Sequence, residues 1–239
     1  MSILDKLIPT LERQCIICRE RYPSERTYIS DGRLCICADC REKIKVFKST
    51  AVFKQKRDLK FHVAAFPYEG VLRDAFRRYK FFGEWAYGGI FSLLMCDCLE
   101  KLWSTGDFDM IIPVPLSKER LNERGYNQSA ILAKAVAERF GVEYSEALFR
   151  IRHTKRQSEL DAKERAGNVR GAFLADVEKV CGRKILLIDD IYTMGATMCE
   201  CAETLTKAGA DAVAGFTLFG VVEPSERERH EYNFESSNK

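Results

Sequence analysis

The stretch Lys184-Ile-Leu-Leu-Ile-Asp189-Asp190-Ile-Tyr-Thr193-Met-Gly195-Ala-Thr197 decides the fold. Its four consecutive aliphatics read as a strand buried on both faces. Two carboxylates follow at the carboxyl end, then a turn rich in Thr and Gly. Beyond it Met198, Cys201, Ala202, Leu205 and Ala208 keep helical spacing until Gly209 supplies the stop. Ligands of open α/β sheets sit outside the carboxyl ends of strands. A helix N-terminus flanked by Thr hydroxyls suits a phosphate group. Adjacent carboxylates accept hydrogen bonds from a sugar diol, or help to hold a hydrated Mg²⁺. Together these features describe a site for a phosphorylated ribose, the competing reading being a surface turn with two solvated acids. The chain contains no G-x-x-x-x-G-K-[ST] and no G-x-G-x-x-G, which excludes a Walker loop and a Rossmann fingerprint.

Outward from this segment, strand and helix patterns alternate. Strands are expected over 61–66, 110–114, 184–188 and 212–219. Helices are expected over 69–80, 90–102, 129–140 and 195–208. Such alternation implies crossover units and a mainly parallel sheet flanked by helices, an α/β fold. After Val222 the charged tail nearly lacks aliphatics, and residues 223–239 are expected to be flexible.

The 239 residues allow one large domain, or one ordinary domain plus a small module. With 46% hydrophobic and 31% charged residues, wholesale disorder is excluded. The net charge of only +3 means that attraction to phosphate or nucleic acid must come from local patches. No run of about 18 apolar residues occurs, so no membrane-spanning helix is expected. The N-terminal stretch carries Asp5, Lys6, Glu12 and Arg13 and lacks a clean apolar segment, so a cytoplasmic location is expected.

Half of the ten cysteines crowd into residues 15–40. In a cytoplasmic setting they read as metal ligands or buried thiols, not as a disulfide framework. Cys15-x-x-Cys18 and Cys37-x-x-Cys40 match the two-knuckle zinc pattern, in which four thiolates close a tetrahedron. Cys35 leaves the set open: it either replaces Cys37 or is a spare thiol. Four thiolates leave no open position, so the pattern implies a structural Zn²⁺ and not a catalytic one. About fifty residues with few large aliphatics would gain folding energy from such a metal. The expected organisation is a zinc-ribbon module over 1–50, with a boundary in the basic 41–60 stretch, and a second domain over 51–222.

Two basic segments remain. Residues 113–128 follow a short strand and offer Lys118, Arg120 and Arg124 for a pyrophosphate or other anion. The competing reading is a solvated helix face on which Glu119 and Glu123 pair those cations. Residues 150–170 carry seven cations (Arg150, Arg152, Lys155, Arg156, Lys163, Arg165 and Arg170) against three acids, a surplus larger than that of the whole chain. A polar segment of this length is a lid, a binding loop or a solvated insertion.

The 184–197 segment resembles the phosphoribosyl-pyrophosphate loop of type I phosphoribosyltransferases. The order of all the pieces is similar to that of the ComF family: a four-cysteine module, P-V-P-L-x-x-x-R with R-G-[YF]-N-Q, R-x-x-x-T-x-x-Q-x-x-L with a later R-x-x-N-V, then the acidic loop. The resemblance spans residues 13 to 222 or so. It implies a zinc ribbon joined to a type I phosphoribosyltransferase-like sheet. It places the ribose hydroxyls on the catalytic pair Asp189 and Asp190, and the 5′-phosphate on Thr193, Met194, Gly195, Ala196 and Thr197. Met194 departs from the family, where Thr is commoner. The resemblance also implies Mg²⁺ with phosphoribosyl pyrophosphate, a flexible basic loop, single-stranded DNA handling in natural transformation, and a helicase-like competence partner. Tyr79, Phe81, Phe82 and Tyr126 are candidates for base stacking or, alternatively, core residues. A Mg²⁺-dependent phosphoribosyl transfer to an unknown acceptor is the alternative activity.

Overall fold

The aliphatic run of 185–188 forms the middle of the main sheet, buried on both faces. The computed structural model describes residues 12–47, 51–53, 58–103, 106–152, 169–221 and 231–232. In chain order they form β1 (Arg13–Cys15), β2 (Arg21–Tyr22), β3 (Thr27–Ser30), β4 (Leu34–Cys37), α1 (Ala38–Arg41), β5 (Val46–Phe47), β6 (Ala51–Phe53) and β7 (His62–Pro67). There follow α2 (Gly70–Phe81), α3 (Gly88–Leu99), β8 (Met110–Pro113), α4 (Lys118–Arg124), α5 (Gln128–Phe140), β9 (Glu143–Tyr144), β10 (Leu148–Arg150) and β11 (Phe173–Ala175). The remainder is α6 (Val177–Val180), β12 (Lys184–Tyr192), α7 (Ala196–Lys207), β13 (Ala212–Gly220) and β14 (Glu231–Tyr232).

The main sheet runs β6-β7-β13-β12-β8-β9. β6 is antiparallel to β7, and the other five strands are parallel, as helical crossovers require. Side-chain alternation along β12 sends Leu186 and Ile188 to the core formed with α2, α3 and α5. Ile185 and Leu187 go to the opposite core, formed with α7, β10 and β11. From β12 the chain crosses through α7 to β13 on one side. From β8 it crosses through α5 to β9 on the other. The strand order therefore reverses between β12 and β8, and a crevice opens at their carboxyl ends.

The spacing predicts the type of the main elements and, β12 apart, places their limits to within three residues. β12 departs most. It continues four residues beyond 188, because β13 keeps pairing with it: Asp189 faces Thr217, Ile191 faces Phe219 and Tyr192 faces Gly220. The two acids thus belong to the strand, and the turn begins after Tyr192.

The cysteine-bearing strands form their own sheet, β2-β1-β4-β3. Cys15, Ile16, Leu34, Ile36 and Ile44 join the same continuous core as Phe76, Phe91 and Phe219. α3, apolar around most of its circumference, packs against β3 and β4 as well as α5 and β13. The expected boundary near residue 50 falls at 48–50, outside the described residues. The expected flexible tail also lies outside them, save for β14, which pairs antiparallel with β5.

Candidate functional site

Asp189 and Asp190 line a cavity of about 620 Å³ outside the carboxyl ends of β8 and β12. Ser129 Oγ donates to Asp189 Oδ1 at 2.7 Å, and the Asp190 N–H donates to the same oxygen at 2.8 Å. Burial, and after it the charge of Asp190, pushes the Asp189 carboxyl up to about 7. Lys80, at the end of α2, donates from Nζ to Asp190 Oδ2 at 2.6 Å. Both side chains are largely buried, so the ammonium offsets a charge that would be costly alone.

The turn after β12 is shaped by Gly195, at φ +75°. A Cβ there would come within 2.5 Å of Tyr192 Cζ, so only glycine fits. Tyr192 is held in turn by stacking on His62, with ring centroids 3.9 Å apart. The chain enters α7 directly from this turn, which brings the helix N-terminus to the cavity. The first turn of a helix lacks intrahelical acceptors for its N–H groups and carries positive potential.

The loop after β8 is locked by the R-G-Y-N-Q residues. Arg124 Nη1 donates to Gln128 Oε1 at 3.1 Å. Gly125 closes α4 in the left-handed region. Tyr126 Oη donates to the Tyr79 carbonyl at 2.6 Å. Asn127 Nδ2 donates to the Val114 carbonyl at 3.1 Å, and its Oδ1 accepts from the Ser129 N–H at 3.1 Å. The motif therefore fixes the distance between this loop, α2 and the first turn of α5.

Arg120, Arg124, Asp189, Asp190, Thr193, Gly195, Ala196 and Thr197 all line the one cavity. Lys118 and Met194 do not. The segment after β8 coils into α4, whose period puts Arg120 and Arg124 on one face and leaves Lys118 exposed. Met194 is 43% exposed. In the basic segment, Arg150 closes β10 opposite Phe173 and lines the cavity. Burial, and next the charge of Arg120, lowers its pKa. Arg152 is exposed and donates to the Arg170 carbonyl at 2.5 Å. Lys155, Arg156, Lys163 and Arg165 lie outside the described residues.

Sequence reading misses Lys80, Ser129 and the inward placement of Arg150. Ser129 follows the Asn-Gln pair directly, so the motif carried a signal for it. Lys80 looks like one more cation on the polar face of α2, and no local pattern ties it to Asp190. Of the aromatics read as stacking candidates, Tyr79 is fully buried and Tyr126 is half-buried against it. Both belong to the packing. Phe81 and Phe82 stand exposed.

The Sγ atoms of Cys15, Cys18, Cys37 and Cys40 lie within 4.8 Å of one another. Cys18 and Cys37 are 4.0 Å apart, close to the ~3.8 Å edge of a tetrahedron with ~2.3 Å metal–sulfur bonds. The Cys40 N–H points at Cys37 Sγ at 3.4 Å, and the Cys37 N–H at Cys15 Sγ at 3.5 Å. Cys35 Sγ instead approaches the Arg13 carbonyl at 3.7 Å, which removes it from the cluster. The donor set fits a closed structural metal site.

A mainly parallel sheet with a crevice at its switch point, acids at the end of one strand and a helix N-terminus beside them define a protein of the phosphoribosyltransferase fold. Residues 127–238 match the phosphoribosyl transferase domain family. The chain is 29% identical to "Competence protein ComFC" of Streptococcus pneumoniae over 86% of this chain and 99% of that one. It is 27% identical to "Competence protein ComFC" of Bacillus subtilis, over 87% of this chain and 84% of that one. It is 38% identical to "DNA utilization protein YhgH" of Escherichia coli K12, over 53% of this chain and 56% of that one. Over most of its length the chain is similar to these ComFC proteins, and it joins a phosphoribosyltransferase-type sheet to a four-cysteine module. No described helix is long and apolar enough to cross a membrane.

Proposed function

We propose that this competence-associated protein binds phosphoribosyl pyrophosphate, or a related ribose phosphate, with Mg²⁺, and assists the handling of single-stranded DNA in natural transformation. The observation that carries the reading is one cavity that gathers two aspartates, a helix N-terminus and the cations Lys80, Arg120, Arg124 and Arg150. The 5′-phosphate rests on the amides of the 193–197 turn. The ribose diol donates to Asp189 and Asp190. Arg120, Arg124 and Arg150 hold the pyrophosphate. Oxygen donors beside an anionic ligand fit Mg²⁺, which neutralises pyrophosphate charge when bound. The competence and DNA-utilization names of the relatives support the DNA role, and a cytoplasmic site beside a helicase-like partner is part of the same reading. For the cysteine cluster we propose Zn²⁺, the ion that four thiolates in a tetrahedron suit.

Calorimetric titration with phosphoribosyl pyrophosphate and Mg²⁺ tests the reading. The native chain binds, and the double variant Asp189→Asn, Asp190→Asn loses binding at least tenfold. Equal affinity in both would discard it.

A second reading is phosphoribosyl transfer, favoured by Asp189, whose carboxyl near 7 can exchange a proton at neutral pH. The C1–oxygen bond would break with its electron pair leaving on pyrophosphate, while a lone pair of the acceptor bonds to C1 and its proton passes to a base. Release of pyrophosphate with a candidate base present, abolished in the double variant, distinguishes turnover from binding alone.

A further inference from the structure

α2 ends at Phe81 and runs on into Phe82-Gly83-Glu84-Trp85, and the three aromatics of this segment are 61%, 72% and 67% exposed. Single exposed aromatics are ordinary, but three within five residues concentrate exposed apolar surface in one short segment, an aromatic patch in that sense. Gly83, at φ +72°, turns the chain between them. The patch adjoins the cavity, because Phe81 is part of its lining. It is also flanked by positive charge. The Arg124 guanidinium lies 5.5 Å from the Phe81 ring centre, and exposed Arg77 stands one helical turn before Phe81.

The loop is held from both sides. Glu84 pairs with Arg19 and, at 3.8 Å, with Arg78. Arg78 in turn donates to the carbonyls of Ile16 and Ile17, the two residues between Cys15 and Cys18. On the other side, Tyr126 grips the Tyr79 carbonyl. The first cysteine knuckle is thus linked through two arginines and one glutamate to the rim of the cavity.

We propose that Phe81, Phe82 and Trp85 are a stacking platform for the bases of single-stranded nucleic acid, and that the Cys15–Cys18 knuckle is its brace. Exposed rings flanked by arginines are what a strand with a phosphate backbone and unpaired bases requires. A rigid loop loses less freedom when a base settles on it than a mobile one does. The proposal rests on the DNA part of the function above and names the surface that carries it.

The test uses the full chain and a fluorescein-labelled twenty-residue oligothymidylate, followed by anisotropy at fixed salt. Phe82→Ala with Trp85→Ala is expected to weaken binding about tenfold or more, since each removes a ring on which a base stacks. Neither residue lines the cavity, so affinity for phosphoribosyl pyrophosphate with Mg²⁺ stays native. Glu84→Gln, which loosens the brace while keeping the shape, weakens the oligonucleotide alone. A Trp103→Phe chain retains Trp85 as its one tryptophan, and its fluorescence is quenched by the oligonucleotide. Unchanged affinity of the double alanine variant, or unquenched Trp85, overturns the platform while leaving the ribose-phosphate site standing. Failure of the native chain to bind the oligonucleotide overturns the platform and the DNA role together. A protein partner released by the double alanine variant, with oligonucleotide affinity intact, would make the patch a protein-docking surface instead.

Discussion

Asp189 and Asp190 are neighbours in sequence but not in chemistry. Asp189 has its carboxyl near 7, whereas the average unfolded aspartate titrates near ~3.9. Between those values the folded chain holds a proton that the unfolded chain has released, so the contribution of this group to stability falls as pH rises from about 4 to about 7. Asp189→Asn removes that titration. The unfolding temperature of the native chain relative to this variant is expected to drop between pH 5 and pH 8. Parallel temperatures across that range would show that Asp189 titrates normally. Asp190 depends on Lys80, 110 residues away in the chain. Lys80→Met leaves a largely buried carboxylate without its ammonium and is expected to cost about 3 kcal/mol in urea unfolding. Lys80→Arg recovers part of the loss, and a Lys80→Met chain as stable as native would rule the pair out as a structural contact. The acids were legible because a doublet of carboxylates after four aliphatics is a local pattern. Lys80 was not, because its role exists only once α2 lies beside β12.

At the scale of the element, β12 and α7 build the site jointly, and Gly195 is the joint. The sequence pattern identified strand, turn and helix. It ended the strand at 188, just before the acids, because pairing of Asp189 with Thr217 depends on how far β13 continues. Gly195→Ala adds a methyl group against Tyr192 at a positive φ. We expect a loss of about 1–3 kcal/mol and displacement of Tyr192 from His62. Thermal unfolding measures the first, and the ring-current shift of His62 the second. A stable variant with an unmoved Tyr192 would mean that the turn can open. The β10–β11 ribbon escaped sequence reading for a different reason. Its strands are three residues each and are joined only across the long basic segment, so periodicity had too little to act on.

At the scale of the molecule, the four-cysteine module is not an appendage. Ile16, Leu34 and Ile36 share one core with α2 and α3, and Arg78 ties the first knuckle to the cavity rim. The ligand spacing was legible at once. The exclusion of Cys35 was not, because it depends on where β1 places the Arg13 carbonyl. A shared core predicts a single unfolding transition, not two. Chelation, or Cys15→Ser, should release about one metal ion per chain and lower that one transition, as scanning calorimetry with metal analysis would show. Two separate transitions, with only the first sensitive to metal, would mean that the module folds by itself.

The most direct test is a crystal structure of the chain with phosphoribosyl pyrophosphate and Mg²⁺. The account predicts the 5′-phosphate within hydrogen-bond distance of the amides of residues 193–197, with both ribose hydroxyls on Asp189 and Asp190. A cavity lacking ligand at saturating concentration, or a phosphate seated away from the first turn of α7, would contradict it.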